Sequence, residues 1–186
     1  RVFFIVSGAV KIYRTDVSGK EQIVAVLEKE ELFPHVGFFR GGTYPAHAEI
    51  LERSVLIAIP IADFEKALIQ NPKIIIKMFR VLEDRIIDLQ NRLAEKVLHD
   101  TYEQIVMMLL RLARSNGSAS DAAWTKLNTR FTNRELANMI GITRETINRT
   151  FSQLRKKKLL SFDADGKLLL NVEGLENELS LKHERG

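Results

Sequence analysis

The chain has 186 residues, 45% hydrophobic and 28% charged, a globular composition with room for one large domain or two small ones and unlike that of a disordered or fibrous protein. It contains no cysteine, which excludes disulfides, a thiol switch and thiolate metal ligation within these residues, and no apolar run approaches the roughly 20 residues of a membrane span. The net charge of +4 is unevenly placed: residues 1–72 carry eight Lys/Arg against nine Asp/Glu, whereas Thr132 to Lys158 carries seven against two, a local excess that predicts a polyanionic partner for that part of the chain.

The first segment reads as strands. "VFFIVSG" and "AVKIYRTD" are β-rich runs joined at Ser7-Gly8, "DVSGK" is a turn with Gly19 placed for positive φ, and "EQIVAVL" follows as a strand. After an irregular "KEELFPHVGFFRGGTYP" come "AHAEILE" and "SVLIAIP". Short strands at this spacing predict a small barrel or sandwich. The chain opens inside a strand, so the expectation is that part of this domain precedes residue 1.

Helices come next. Pro60 introduces "IADFEKALIQ", and Asn71-Pro72 starts a longer helix to about Leu98. Within it Phe79, Leu82, Ile86, Leu89 and Leu93 alternate steps of three and four, with Val97 four further on. That is the a/d pattern of a coiled coil. Charged neighbours (Glu83, Asp84, Arg85, Asp88, Arg92, Glu95, Lys96) keep the apolar stripe narrow. A narrow stripe fits one partner helix, and a second copy of the chain is the preferred reading over an intrachain partner. Asp100 then caps "TYEQIVMMLLRLAR", whose wider apolar face is Ile105, Met108, Leu109 and Leu112. "SNGSASDAA" reads as a polar surface loop.

From Trp124 onward the pattern changes again. Thr132 with Glu135 makes a capping box, and the helix it starts presents Leu136, Ala137 and Ile140 on one side and stops at Gly141. Thr143 caps a second helix with Ile147, Phe151 and Leu154 inward and Arg144, Glu145, Asn148 and Arg149 outward. Two short helices around a glycine, with a small residue where they approach, match a helix-turn-helix. "KLLSF-DADG-KLLLN" adds a hairpin after it, which makes the motif winged. A helical hairpin with a merely basic surface accounts for neither the paired caps nor the wing.

With these residues in place, the whole chain resembles the CRP/FNR transcription regulators. The most specific part is "TRETINR", since that family reads DNA with an Arg-Glu pair followed by an Arg four residues later; the match falls on Arg144, Glu145 and Arg149. The resemblance implies an α+β chain in three parts: a β-roll sensor domain of the cyclic-nucleotide-binding type at 1–70, a dimerisation helix and hinge at 71–99, and a winged helix-turn-helix at 100–186. It implies double-stranded DNA, a second copy of the chain and RNA polymerase as partners, a cytoplasmic location without membrane contact, and no enzymatic activity. The DNA-contacting set is Arg144, Glu145, Asn148 and Arg149, the helix-start threonines Thr132, Thr143 and Thr146, and Lys156, Lys157 and Lys158 on phosphate. Thr150 departs from the family's usual aliphatic residue, which predicts looser local packing.

The sensor departs further. Members that bind cyclic AMP carry Gly-Glu, then Arg followed by Ser or Thr and Ala; here Pro34-His35 and Pro45-Ala46 stand in those places. The loss of a phosphate-pairing Arg and a ribose-binding Glu predicts a different effector. His35, Tyr44 and His47 are the candidate pocket residues, with Glu49 nearby, and the spacing names no cofactor or metal. An iron–sulfur route stays open at this point, because members that use it hold most of the cysteines in the N-terminal part. A ligand-binding or scaffold protein whose winged helix makes protein contacts is the alternative, but such a protein has no need of Arg144, Glu145 and Arg149 at this spacing.

Overall fold

A computed structural model describes residues 1–34, 43–120 and 123–183. The chain forms two compact units, Arg1–Leu98 and His99–Gly186.

In the first unit, strands β1 (Val2–Ser7), β2 (Val10–Thr15), β3 (Glu21–Leu27), β4 (Leu32–Phe33), β5 (His47–Ile50) and β6 (Val55–Ile59) make two three-stranded antiparallel sheets, in the orders β4-β1-β6 and β3-β2-β5. Ile5, Val10, Leu27 and Phe33 form the core, with Phe3, Ile12, Ala25 and Leu56 packed against it. Phe3 and Phe33 face each other across β1 and β4 and stack with ring centroids 5.1 Å apart. The β1–β2 turn needs its glycine: Gly8 sits at φ +89, and a Cβ there would meet the Arg53 carbonyl oxygen at 2.7 Å. The next turn is built by Asp16, whose Oδ1 accepts from the backbone N–H groups of Ser18 and Lys20 at 2.8 and 2.9 Å. Gly19 takes φ +80 there, as the sequence predicts.

Helix α1 (Ile61–Gln70) and the 27-residue α2 (Pro72–Leu98) complete this unit. Pro72 occupies the first helical position, where its missing N–H costs nothing. No residue of α2 is buried. One side of it meets the strands through polar groups: Arg85 pairs with Glu31, and Arg92 donates to the Val24 carbonyl at 2.8 Å while pairing with Asp88 at 3.6 Å.

The second unit runs α3 (Thr101–Asn116), β7 (Gly117–Ala119), β8 (Thr125–Leu127), α4 (Asn133–Ile140), α5 (Arg144–Lys156), β9 (Leu160–Phe162), β10 (Leu168–Leu170) and α6 (Val172–His183). Asp100 and Glu103 form a full capping box on α3, each side chain accepting from the other's backbone N–H at 2.9 Å. Ile105, Met108, Leu109 and Leu112 are buried as predicted, and so are Leu127, Leu136, Ile147, Leu154, Leu168 and Leu170. Thr150 is buried beside Ile147, Phe151 and Leu154 on the inner side of α5.

Two segments differ from the sequence expectation. "SNGSASDAA" is not wholly a polar surface loop: Ser115 and Asn116 finish α3, and β7 pairs with β8 in a four-stranded sheet of order β7-β8-β10-β9. The polar side chain that suggested a loop is satisfied inside the fold. Asn116 donates to Thr129 Oγ1 at 3.1 Å and accepts from the Thr129 N–H at 3.0 Å. Gly117 is required there, because a Cβ would lie 2.1 Å from the Ala113 carbonyl oxygen. The second addition is α6, whose start Asn171 caps by accepting from the Gly174 N–H at 2.8 Å and which buries Leu175.

Candidate nucleic-acid interface

Local chemistry fixes both ends of the α4–α5 pair. Thr132 Oγ1 accepts from the Glu135 N–H at 3.2 Å and donates to Glu135 Oε2 at 2.7 Å. Its hydroxyl proton is thus committed to the capping box. Gly141 adopts φ 71, ψ 37, the left-handed cap that lets the Ile142 N–H reach the Ala137 carbonyl at 3.1 Å. Ala137 and Met139 are buried on α4, and Ile140 is only half-buried. Thr143 Oγ1 accepts from the Thr146 N–H at 3.2 Å, and the two hydroxyls bond at 2.9 Å.

With Ile147, Thr150, Phe151 and Leu154 inward, α5 turns Arg144, Glu145, Asn148 and Arg149 to solvent. Among the described residues, nothing in the chain pairs with Arg144, Glu145 or Arg149. Asn148 differs: its Oδ1 accepts from Asn133 Nδ2 on α4.

The three lysines at the end of α5 are not equivalent. Lys157 pairs with Glu178 of α6, and its Nζ lies 5.6 Å from the Tyr102 ring centroid. Tyr102 donates to the same Glu178 Oε1 at 3.0 Å. Burial, together with that carboxylate, pushes the Tyr102 hydroxyl well above the ordinary phenol range. Lys157 therefore ties α5 to α6 beside α3. Lys158 takes φ +58 as α5 ends, and the following Leu159 N–H reaches back to the Leu154 carbonyl at 2.9 Å. Lys156 and Lys158 are exposed and have no partner among the described residues.

The wing is organised by Asp163. Its Oδ1 accepts from the N–H groups of Asp165 and Lys167 at 2.9 and 2.8 Å, and its Oδ2 lies 2.5 Å from Lys126 Nζ. The Lys126 ammonium, then the backbone donors, hold this carboxyl below the usual range. Gly166 turns the tip at φ +76 with the Arg130 guanidinium alongside: a Cβ added there would lie 3.3 Å from Arg130 Nε. Arg130 is an exposed cation beside the wing that the sequence reading passed over. Its only local signal is a basic residue two positions before the Thr132 cap.

In the first unit, Phe79, Ile86, Leu89, Leu93 and Val97 are 54% to 74% exposed, and Leu82 is half-buried. Most of the a/d stripe is therefore left uncovered by the described residues of its own unit. Its N-terminal end adjoins a groove of about 420 Å³ lined by Glu65, Leu68, Ile69, Ile75, Met78, Phe79 and Leu82. The candidate effector residues are not brought together into a pocket by the described residues. Tyr44 is exposed and donates to the Arg1 carbonyl at 3.0 Å. His47, exposed on β5, stacks on Tyr13 at 5.2 Å. Glu49 pairs at 2.9 Å with the buried Lys11. His35 lies outside the described residues. No group of three His, Cys, Asp or Glu among the described residues is placed to hold a metal ion, and no described helix is long and apolar enough to cross a membrane.

Comparison with known proteins agrees with this geometry. Residues 1–71 match the cyclic nucleotide-binding domain family, and residues 103–178 match the Crp-like helix-turn-helix domain. The chain is 31% identical over 163 residues to the global nitrogen regulator of Nostoc sp., covering 87% of this chain and 73% of that protein. It is 27% identical to the anaerobic regulatory protein of Bacillus subtilis, covering 91% and 71%. In fold it is similar to FixK2 from Bradyrhizobium japonicum, with a TM-score of 0.78 at 22% identity over 95% of this chain and 85% of that one. Together with the exposed face of α5, these matches establish that the chain belongs to the CRP/FNR family of DNA-binding transcription regulators, which are not enzymes.

Proposed function

We propose that two copies of this chain pair in parallel through the α2 stripe and present their α5 helices to successive major grooves of a palindromic DNA site. The observation that carries this reading is the outer face of α5. Arg144, Glu145 and Arg149 are exposed and unpaired among the described residues, on a helix capped at its start by Thr143 and tied at its end by Lys157. Each arginine can donate two hydrogen bonds to guanine O6 and N7, and Glu145 can accept from cytosine N4. Lys156, Lys158 and Arg130 supply phosphate contacts. Two-fold symmetry then asks for inverted half-sites, of the TGTGA or TTGA type used by the family, with centres roughly 34 Å apart.

The exposed stripe supports the dimer. Five large apolar side chains left in water on one helix mark an interaction surface, and their 3-4 spacing fits a parallel two-helix contact. The dimer also positions two readers at once, which a single copy cannot do. The roll acts as the sensor and α2 carries its signal. Cyclic AMP is not that signal, because Pro34-His35 and Pro45-Ala46 replace the groups that would hold ribose and phosphate. RNA polymerase is the partner through which bound protein alters transcription.

Selection and sequencing of DNA fragments bound by the purified protein tests the reading. An inverted repeat is expected, and Arg149→Ala should cost roughly 1–3 kcal/mol at one G·C pair per half-site. Recovery of no palindrome, or an unchanged base preference in the Arg149→Ala protein, would overturn it.

A further inference from the structure

Asn148 stands on the exposed face of α5 between Glu145 and Arg149, and its side chain is not free to turn. Its Oδ1 accepts a hydrogen bond from Nδ2 of Asn133, the first residue of α4. The two asparagines are 15 positions apart in sequence and meet because the Gly141 turn folds α5 across the start of α4. Asn133 has no capping duty, which Thr132 and Glu135 discharge between them.

An asparagine amide that rotates freely can present either end to a base, and its usual two-point partner is adenine, donating to N7 and accepting from N6. The bond from Asn133 removes that choice. Turning Oδ1 toward α4 leaves Nδ2, on the other side of the amide carbon, as the end directed away from it. The Nδ2 end so presented offers donors only. We propose that Asn133 is a positioning residue that makes Asn148 a donor-only reader, selecting the keto bases guanine and thymine over the amino bases adenine and cytosine at one base pair of each half-site. Guanine O6 and N7 and thymine O4 accept its N–H groups; adenine N7 can accept one of them, but the adenine N6 amino group beside it, like the cytosine N4 amino group, would face a donor with a donor.

This inference rests on α5 lying in the major groove. Its test is binding-site selection with the full chain and four variants: Asn148→Ala, Asn133→Ala, Asn133→Asp and Arg149→Ala. The wild type is expected to prefer G or T at one position by about fivefold, the worth of a single well-placed hydrogen bond. Asn148→Ala should erase that preference alone, and Asn133→Ala should relax it at the same position. Asn133→Asp should invert it toward A or C, because a carboxylate at position 133 can only accept and so forces Asn148 to turn its Nδ2 inward and its Oδ1 outward. Arg149-dependent preference elsewhere in the site, retained by the position-133 and position-148 variants, reports that α4 and α5 are still folded. A site without any Asn148-sensitive position, an Asn133→Asp protein with the wild-type preference, or an Asn133→Ala protein weakened equally on all sequences overturns the inference while leaving the Arg149 reading intact. Loss of all sequence preference in the wild type overturns both.

Discussion

Lys158 and Lys157 are neighbours with the same side chain, and the structure predicts opposite outcomes for removing them. Lys158 holds φ +58 at the end of α5, a position that glycine occupies in most helices ending this way. Left-handed backbone costs a residue with a Cβ about 1–2 kcal/mol, and glycine's greater freedom in the unfolded chain offsets roughly 0.5–1 kcal/mol of the relief. Since Lys158 contacts no partner among the described residues, Lys158→Gly should stabilise the winged unit by roughly 0.5–1 kcal/mol, a rise of a few degrees in melting temperature. The same change removes one of the proposed phosphate contacts, so the slope of log affinity against log salt should fall by about 0.9 for each copy bound. Lys157→Ala should do the reverse. It takes the Lys157 cation away from Glu178, which is only 17% exposed at its side chain and keeps the Tyr102 hydroxyl, a loss of about 1 kcal/mol, while the salt slope stays as it was. Thermal melts and titrations with a fluorescent duplex at four salt concentrations measure both quantities. A Lys158→Gly protein that melts lower than wild type would refute the strain argument. A Lys157→Ala protein with a flattened salt slope would refute the division of labour.

Three further outcomes follow from the same geometry. Leu89→Asp places a charge at the middle of the α2 stripe, where desolvation costs several kcal/mol; dimer and specific DNA affinity should be lost together, and wild-type protein that already sediments as a monomer would sink the idea. Asp163 is held below the ordinary carboxyl range by Lys126 and the turn's N–H groups, so its contribution is complete above the unfolded value of about 3.9 and disappears as pH falls through the lower folded value. Melts across that acid window should show a steeper loss for wild type than for Asp163→Asn, and parallel curves would contradict it. Calorimetry with cyclic AMP should show no micromolar binding, and binding that also raises DNA affinity would disprove the effector reading.

The features legible in the sequence are those whose chemistry closes within one turn. The caps at Asp100, Thr132 and Thr143 each join a side chain to a backbone N–H three residues on, so the residue pair alone announces them. Gly19 and Gly141 were readable for the same reason, and so was the stripe on α2, whose repeat lies within a single helix. What escaped depends on partners remote in sequence. Strand β7 is three residues long and exists because β8 pairs with it. Its buried neighbour Asn116 looks like a loop residue until Thr129 supplies its partners. Lys157 reads as one of three equal cations until Glu178, 21 positions later, claims it. The Asn133–Asn148 contact and the approach of Arg130 to Gly166 are of the same kind, since each crosses between elements that only the completed fold brings together.

That division also explains how a modest net charge can serve a polyanionic ligand. The chain carries 28 Lys and Arg against 24 Asp and Glu, enough acid to neutralise most of its cations if they were mixed at random. In the second unit they are not mixed. Lys126, Lys157 and Arg114 are paired with Asp163, Glu178 and Glu176, each bridge joining separate elements of the winged fold. Arg144, Arg149, Lys156 and Lys158 have no such partner among the described residues, and all four lie on α5 or at its end. An unpaired cation at the surface loses little, since an exposed ion pair contributes at most about 1 kcal/mol. Against closely spaced phosphates the same cations gain a counterion-release term that grows with every contact. The cations that brace the fold are thus separate from those proposed to meet DNA, so changes to the second set should alter affinity and base preference at little cost to folding.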